Sequence, residues 1–381
     1  MSSRGTVGPC ARRAVAAALP VALILAPAAC RGQRPDRAGI VAAMDRTLSE
    51  AYPANGPGAA ILVSRGGNVL LRKGYGLANV ERGTPVTPET VFRIASVTKT
   101  FTATAVLMLA DQGRLALDSP VTAYLPSAPS SWRGITVRHL LSHSSGLAEY
   151  LDRPDFRDFV GGERTLEELI GSFRERPASF SPGERDTYSN SNYILLGAII
   201  ERVTGTAFAA FVGASIFDPL GMRSTACNAP LSGVSGLAEG YEPSRSAGGE
   251  PDWSRLVVAR PYTLSSIYAA GGCVSTVDDI SRFHDALLGG RLLRAETLAH
   301  SFAPVQLAGG RLGGTSYGGW QLDRINGRGA AMKGGSMPGT CTWFVTVPDE
   351  GLAVILLTNR SPGQPRCGGL TVRLAGIAAG R

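Results

Sequence analysis

The sequence predicts an α+β fold, one sheet domain interrupted by a mostly helical insertion, and three observations carry that prediction. Strand-like runs stand near both ends of the chain, and the long middle carries helical periodicity. The 381 residues, 44% hydrophobic and 18% charged, also suffice for a large core. The 48 glycines and 24 prolines follow no period, so collagen-like and disordered classes are excluded. No internal repeat is visible.

Taken in order, a short helix is expected from Asp36 to Tyr52. Runs at 58–64 and 68–75 then meet at Arg65-Gly66-Gly67 and read as a hairpin. A loop through Pro85 and Pro88 leads to Ser96, and Thr100 to Gln112 reads as an apolar helix stopped by Gly113. Helices follow at 137–143, 166–174, 192–203, 207–217 and 277–288. Strands return at 316–323, 328–333, 340–347 and 352–359, with a last helix from about Leu370. The expected organisation is a sheet domain from 36–113 and 304–381, interrupted by a helical insertion at 114–303.

The first 29 residues read as an export signal: Arg4, Arg12 and Arg13 precede an apolar run from Ala14 to Ala29 that holds no acid and is short for a membrane span. Ala28-Ala29-Cys30 resembles a lipoprotein processing site, which implies membrane attachment through lipid on Cys30; plain secretion is the alternative. Removing this segment lowers the formal charge from +8 to +5, because it holds three arginines and no acid. The remaining arginines form no stripe, so the reading is no nucleic acid partner. Four further cysteines are too widely spaced for a zinc ribbon or redox motif, and the expected disulfides are Cys227 with Cys273 and Cys341 with Cys367.

Lysine is the informative residue type. Only Lys73, Lys99 and Lys333 occur among 38 basic residues. Lysine can shed its proton when desolvated or crowded by a second cation, and arginine cannot. Ser96-Val97-Thr98-Lys99 spaces hydroxyl and amine one helical turn apart, so the amine can accept the serine's proton. Alone this motif arises by chance roughly a quarter of a time in such a chain, whereas Tyr188-Ser189-Asn190 arises roughly 0.02 times and Lys333-Gly334-Gly335 about 0.05 times.

With these motifs stand Phe92-Arg93-Ile94-Ala95, the run Leu140-Leu141-Ser142-His143-Ser144-Ser145-Gly146-Leu147, Ser181-Pro182-Gly183, and Ala270-Gly271-Gly272 with Ser275-Thr276. Together they resemble the serine β-lactamase and penicillin-recognising family, in its class C β-lactamase and DD-carboxypeptidase-like branch, which also contains esterases. The resemblance spans about residues 40 to 375. It implies a β-lactamase/transpeptidase-like fold, an antiparallel sheet flanked by helices with the helical domain inserted and the active site in the cleft between them, no cofactor, and a small-molecule or peptidoglycan-peptide substrate.

It further implies that Ser96 is the acylated nucleophile, Lys99 its proton acceptor and Tyr188 the general base, its phenolate favoured by the two lysines. Asn190 would bind the substrate's acyl-side amide and hold Lys99. Lys333 and Gly335 would line the substrate strand, and the backbone amides of Ser96 and Ser336 would form the oxyanion hole. A hydroxyl residue commonly follows the Lys or His of the third motif, where it would bond a substrate carboxylate; here that place is Gly334. The reading is therefore an exported serine hydrolase acting on a β-lactam, a D-Ala-D-Ala peptide or a small ester. The alternative is a penicillin-binding sensor or pseudoenzyme without turnover.

No metal is expected. His139 and His143 lie four apart, but the glutamate of a zinc-protease helix is missing, so both read as structural. His284 and His300 read as packing or surface residues. Tyr150, Tyr241, Trp253, Trp320 and Trp343 read first as core. Oligomeric state is left open by the sequence.

Overall fold

In the computed structural model the described residues are 37–246, 249–260, 262–363 and 366–380. The expected export segment and Cys30 lie outside them.

Helix α1 (Arg37–Ala51) precedes strands β1 (Ala59–Arg65) and β2 (Asn68–Tyr75), whose two-residue turn, Gly66-Gly67, places both glycines at positive φ, 54° and 77°. That conformation costs glycine nothing and matches the twist of a hairpin. The rest of the sheet comes from the other end of the chain: β3 (Pro304–Gln306), β4 (Leu312–Ser316), β5 (Gln321–Ile325), β6 (Arg328–Met337), β7 (Thr340–Val347) and β8 (Leu352–Thr358). They form one eight-stranded sheet in the order β3-β4-β5-β6-β7-β8-β1-β2, and every pairing is antiparallel. The run expected as one strand at 316–323 is broken by a turn through Tyr317 to Gly319, where Gly319 takes φ 78°.

Period-two alternation gives the sheet two apolar faces. Ala59, Ile61 and Val63 pack with Met44 and Leu48 of α1 and with Leu370 and Leu374 of α5 (Cys367–Ala379). Ala60 and Leu62 face the other way, into a larger core shared with α2 (Thr98–Asp111), α3 (Asn190–Thr204) and α4 (Val277–Leu288). Helix α2 is buried along nearly its whole length. A helix apolar on all sides belongs in the interior of a fold, so the serine at its entrance rests on a rigid element.

The middle of the chain also holds strands that the sequence reading did not anticipate. A hairpin of Tyr241–Arg245 with Pro251–Val258 stands apart from the main sheet, and Cys273–Ser275 pairs with both Phe92–Arg93 and Ala226–Cys227. Disulfides join Cys227 to Cys273 and Cys341 to Cys367, the pairings expected from sequence. The first closes the small sheet beside Ile94, whose amide donates to Cys273 O at 3.0 Å. The second ties α5 to β7.

Candidate active site

Ser96 lies in the turn Ala95–Val97, which runs directly into α2. Ala95 holds φ +44°, a strained value for a residue with a side chain, and strain of this kind is tolerated where the surroundings fix it. The fixing is visible. Val97 N–H and Thr342 Oγ1 both donate to Ile94 O, at 3.2 and 2.9 Å. On the other side β6 presses against the turn: a side chain at Gly335 would come within 2.4 Å of Ile94 O and 3.0 Å of Ser96 N. Only glycine lets the substrate strand approach the nucleophile this closely.

One turn along α2, Lys99 is completely buried. Its Nζ lies 3.1 Å from Ser96 Oγ, 2.7 Å from Asn190 Oδ1 and 2.6 Å from Ala270 O. Burial first, and the Lys333 charge second, push the Lys99 amine well below 10.5, with Glu149 opposing them. A neutral amine has two hydrogens and one lone pair. The two shorter contacts take the hydrogens, which leaves the lone pair facing Ser96 Oγ.

Tyr188 OH lies 2.6 Å from Ser96 Oγ and donates to Asn190 Oδ1 at 3.3 Å, the same oxygen that Lys99 contacts. The residue is 45% exposed and lines the cleft, and its hydroxyl is bonded to Ser96 and Asn190. Burial raises its pKa above 10, more than the Ser96 hydrogen bond lowers it. Burial thus works against the phenolate that the resemblance implies for Tyr188, and the neighbouring lysines work for it. Lys333 is only 2% exposed, and burial lowers its amine to about 7. Both amines lie over the same two rings, Lys99 at 4.8 and 5.4 Å and Lys333 at 5.3 and 5.8 Å from the centroids of Tyr188 and Tyr193. Lys73 is remote from the site, half-exposed and paired with Asp45 at 2.7 Å.

Asn190 opens α3, and its own N–H donates to the Glu149 carboxylate, an acid at the positive end of the helix. Ser336 follows Gly335 on β6, exposed and lining the cleft. Strand β5 pairs with β6 only as far as Gln321 with Met332, so Lys333 to Met337 keep one open edge toward a cleft of roughly 350 Å³ beside Ser96. The structure thus gathers Ser96, Lys99, Tyr188, Asn190, Lys333, Gly335 and Ser336 around one space.

Sequence reasoning missed two neighbours. His143, read as merely structural, has its ring 4.6 Å from that of Tyr188 and its Nδ1 accepting from Ser189 N at 3.3 Å. Burial and both lysines lower its pKa well below 6.5, which keeps it neutral. Its φ of +57° is the signal that marks the position. The second is Trp343, read as core but lining both the cleft and a wider cavity of roughly 1080 Å³ that shares Tyr188, Lys333 and Ser336 with it. Trp253 also lines that cavity, while Tyr150, Tyr241 and Trp320 are buried as expected. His284 packs inside with Nε2 at 2.9 Å from Thr346 Oγ1. Among the described residues no cluster of three or more His, Cys, Asp or Glu could hold a metal ion.

The family model described as Beta-lactamase matches residues 46–376. The chain belongs to the beta-lactamase family. Esterase EstB of Burkholderia gladioli is 33% identical to it over 85% of this chain and 91% of its own length. Penicillin-binding protein 4* of Bacillus subtilis is 30% identical over 82% of this chain and 70% of its own. Among solved structures, D-amino acid amidase from Ochrobactrum anthropi SV3 superposes with a TM-score of 0.76 at 26% identity, covering 89% of this chain and 98% of that one. The fold is accordingly β-lactamase/transpeptidase-like, and the protein is a serine hydrolase.

Proposed function

We propose that this chain is an exported hydrolase that cleaves a carboxylic ester or amide through an acyl-enzyme on Ser96. The observation that carries the reading is the position of Ser96 Oγ between two proton carriers of opposite readiness, Lys99 at 3.1 Å and Tyr188 at 2.6 Å. Lys99, with its pKa depressed, is the resting base; Tyr188, with its pKa raised, is the resting acid.

In acylation Ser96 Oγ attacks the carbonyl carbon as its proton passes to Lys99. The oxyanion is held by the amides of Ser96 and Ser336. As the bond to the leaving group breaks, Tyr188 gives that group its proton, and the phenolate so formed stands between two amines, now with charge on Lys99 to stabilise it. In deacylation the phenolate takes a proton from water, the resulting hydroxide attacks the acyl carbon, and Lys99 returns its proton to Ser96 Oγ. Tyr188 is a base in the second half only, and the ledger of protons closes with all three side chains restored. Asn190 holds Lys99 and offers its side-chain amide to the acyl group.

Export is supported by the apolar N-terminal run and by two disulfides, which persist in oxidising compartments. Lipid on Cys30 would fix the enzyme to the cell envelope.

The test uses two leaving groups. With 4-nitrophenyl acetate, whose leaving group departs without a proton, Tyr188→Phe should keep a burst of nitrophenolate and accumulate an acetyl adduct on Ser96 visible by mass spectrometry. With an alkyl ester or an amide the same variant should lose acylation as well. Lys99→Arg should abolish the burst with every substrate, since arginine cannot accept the proton. A normal burst in Lys99→Arg, or turnover by Ser96→Ala, sinks the mechanism.

A further inference from the structure

Gly334 is the place where family resemblance calls for a hydroxyl that would grip a substrate carboxylate. Register explains its absence: Gly334 on β6 lies directly opposite Trp343 on β7. A Cβ at 334 would stand 2.8 Å from both Cε2 and Cζ2 of the Trp343 indole. On the other side, a Cβ at Gly368, in the first turn of α5, would stand 2.5 Å from the same two atoms. The indole is wedged between two glycines. The two elements around it are crosslinked, because the Cys341–Cys367 disulfide joins β7 to α5 one residue before Gly368 and two before Trp343. The ring stays half-buried and lines both the cleft and the wider cavity.

We propose that Trp343 is the specificity-determining residue on the leaving-group side, and that the enzyme prefers acyl substrates whose leaving group is a neutral, flat or apolar alcohol or amine over those whose leaving group carries a carboxylate. This rests on the acyl-enzyme reading of Ser96. The exposed part of the indole is largely apolar, so it offers aryl and alkyl groups van der Waals contact and a carboxylate no counter-charge. The neighbouring cation does not compensate, since Lys333 is buried and holds its proton only partly at neutral pH. Arg366 also lines the wider cavity, but it is exposed to water, where an ion pair contributes little. Asp186 and Asp323 on the same wall add negative charge against a carboxylate. Trp253, packed where a side chain at Gly363 would come within 2.3 Å of its ring, extends the aromatic lining outward.

The experiment compares phenyl acetate with 3-carboxyphenyl acetate, which share the acyl group and differ by one carboxylate, followed by pH-stat. Wild type should favour phenyl acetate in kcat/KM by about tenfold or more, the scale of one good aromatic contact. Trp343→Ala should lose about tenfold on phenyl acetate, mainly through KM, and leave the carboxylate ester unchanged, while Trp343→Phe should keep most of the preference. If Trp343→Ala fails to melt cooperatively, Gly334→Ser carries the test, because its side chain must displace the indole and should lower the ratio. A wild-type ratio of one or less overturns the proposal, as does equal loss on both esters in Trp343→Ala without rescue by phenylalanine, or an unchanged ratio in Gly334→Ser. Residual hydrolysis by Ser96→Ala is a separate result: it removes the acyl-enzyme reading itself, whichever way the ratio falls.

Discussion

Adding one methyl group at Gly335 should disable the site without touching a reacting atom. In Gly335→Ala the new Cβ would lie 2.4 Å from Ile94 O and 2.4 Å from Thr342 Oγ1, where ordinary contact begins at 3.4 Å. Ile94 O cannot yield, since it is held by Val97 N–H and Thr342 Oγ1. Strand β6 must then retreat by about 1 Å, carrying Ser336 N–H away from Ser96, and a misplacement of that size costs on the order of 10²-fold in rate. Stability should fall by about 1–3 kcal/mol, the usual cost of overpacking. Pre-steady-state hydrolysis of 4-nitrophenyl acetate measures the first effect and a thermal melt the second. Gly329→Ala is the matched control, on the same strand with nothing within 4 Å of its Cβ, and should behave as wild type. A folded Gly335→Ala protein with kcat within about threefold of wild type would refute the claim that this close approach aligns the oxyanion donors.

Three further outcomes follow from the buried amines and the disulfides. Lys333 has a folded pKa of about 7 against 10.5 in the unfolded chain, so its burial costs stability in full below pH 7 and nothing above 10.5. Lys333→Met should therefore raise the urea midpoint at pH 6.5, by a gain on the order of 4 kcal/mol at most that disappears at pH 10.5; an equal gain at both pH values contradicts the assignment. The burst rate in wild type should rise with pH through a midpoint below 10.5, as Lys99 loses its proton, and the same Lys333→Met change should move that midpoint upward because the neighbouring charge is gone. A midpoint that stays in place uncouples the two lysines. Cys227→Ser with Cys273→Ser opens a 46-residue loop and should lower stability by up to about 4 kcal/mol; an unchanged Tm shows the crosslink to be dispensable.

Motifs confined to one helical turn were legible in the sequence. Ser96 and Lys99 are brought together by helix geometry alone, and the apolar runs that became β1 and β8 were readable as strands. Features that depend on register or on contacts distant in the chain were not. Nothing in the residues around Trp343 reveals that it faces Gly334 across β6 and β7, because that pairing is set by the turn between the strands. The hairpin from Tyr241 to Val258 escaped because Pro243 stands inside its first strand and its second, opening on Pro251, is largely exposed, so no buried alternation marks it. The influence of burial on Tyr188 and Lys333 was not legible for a related reason. Sequence supplies the charges near a group, whereas desolvation, the larger influence on both, exists only once the chain has folded around them.

The open edge of β6 from Lys333 to Met337 has a consequence for solubility. An unpaired strand edge ordinarily invites another chain to pair with it and seed aggregation. Here the unpaired edge faces a cleft of roughly 350 Å³ beside Ser96, so the backbone groups that would seed association between copies lie where a short extended ligand can pair with them instead.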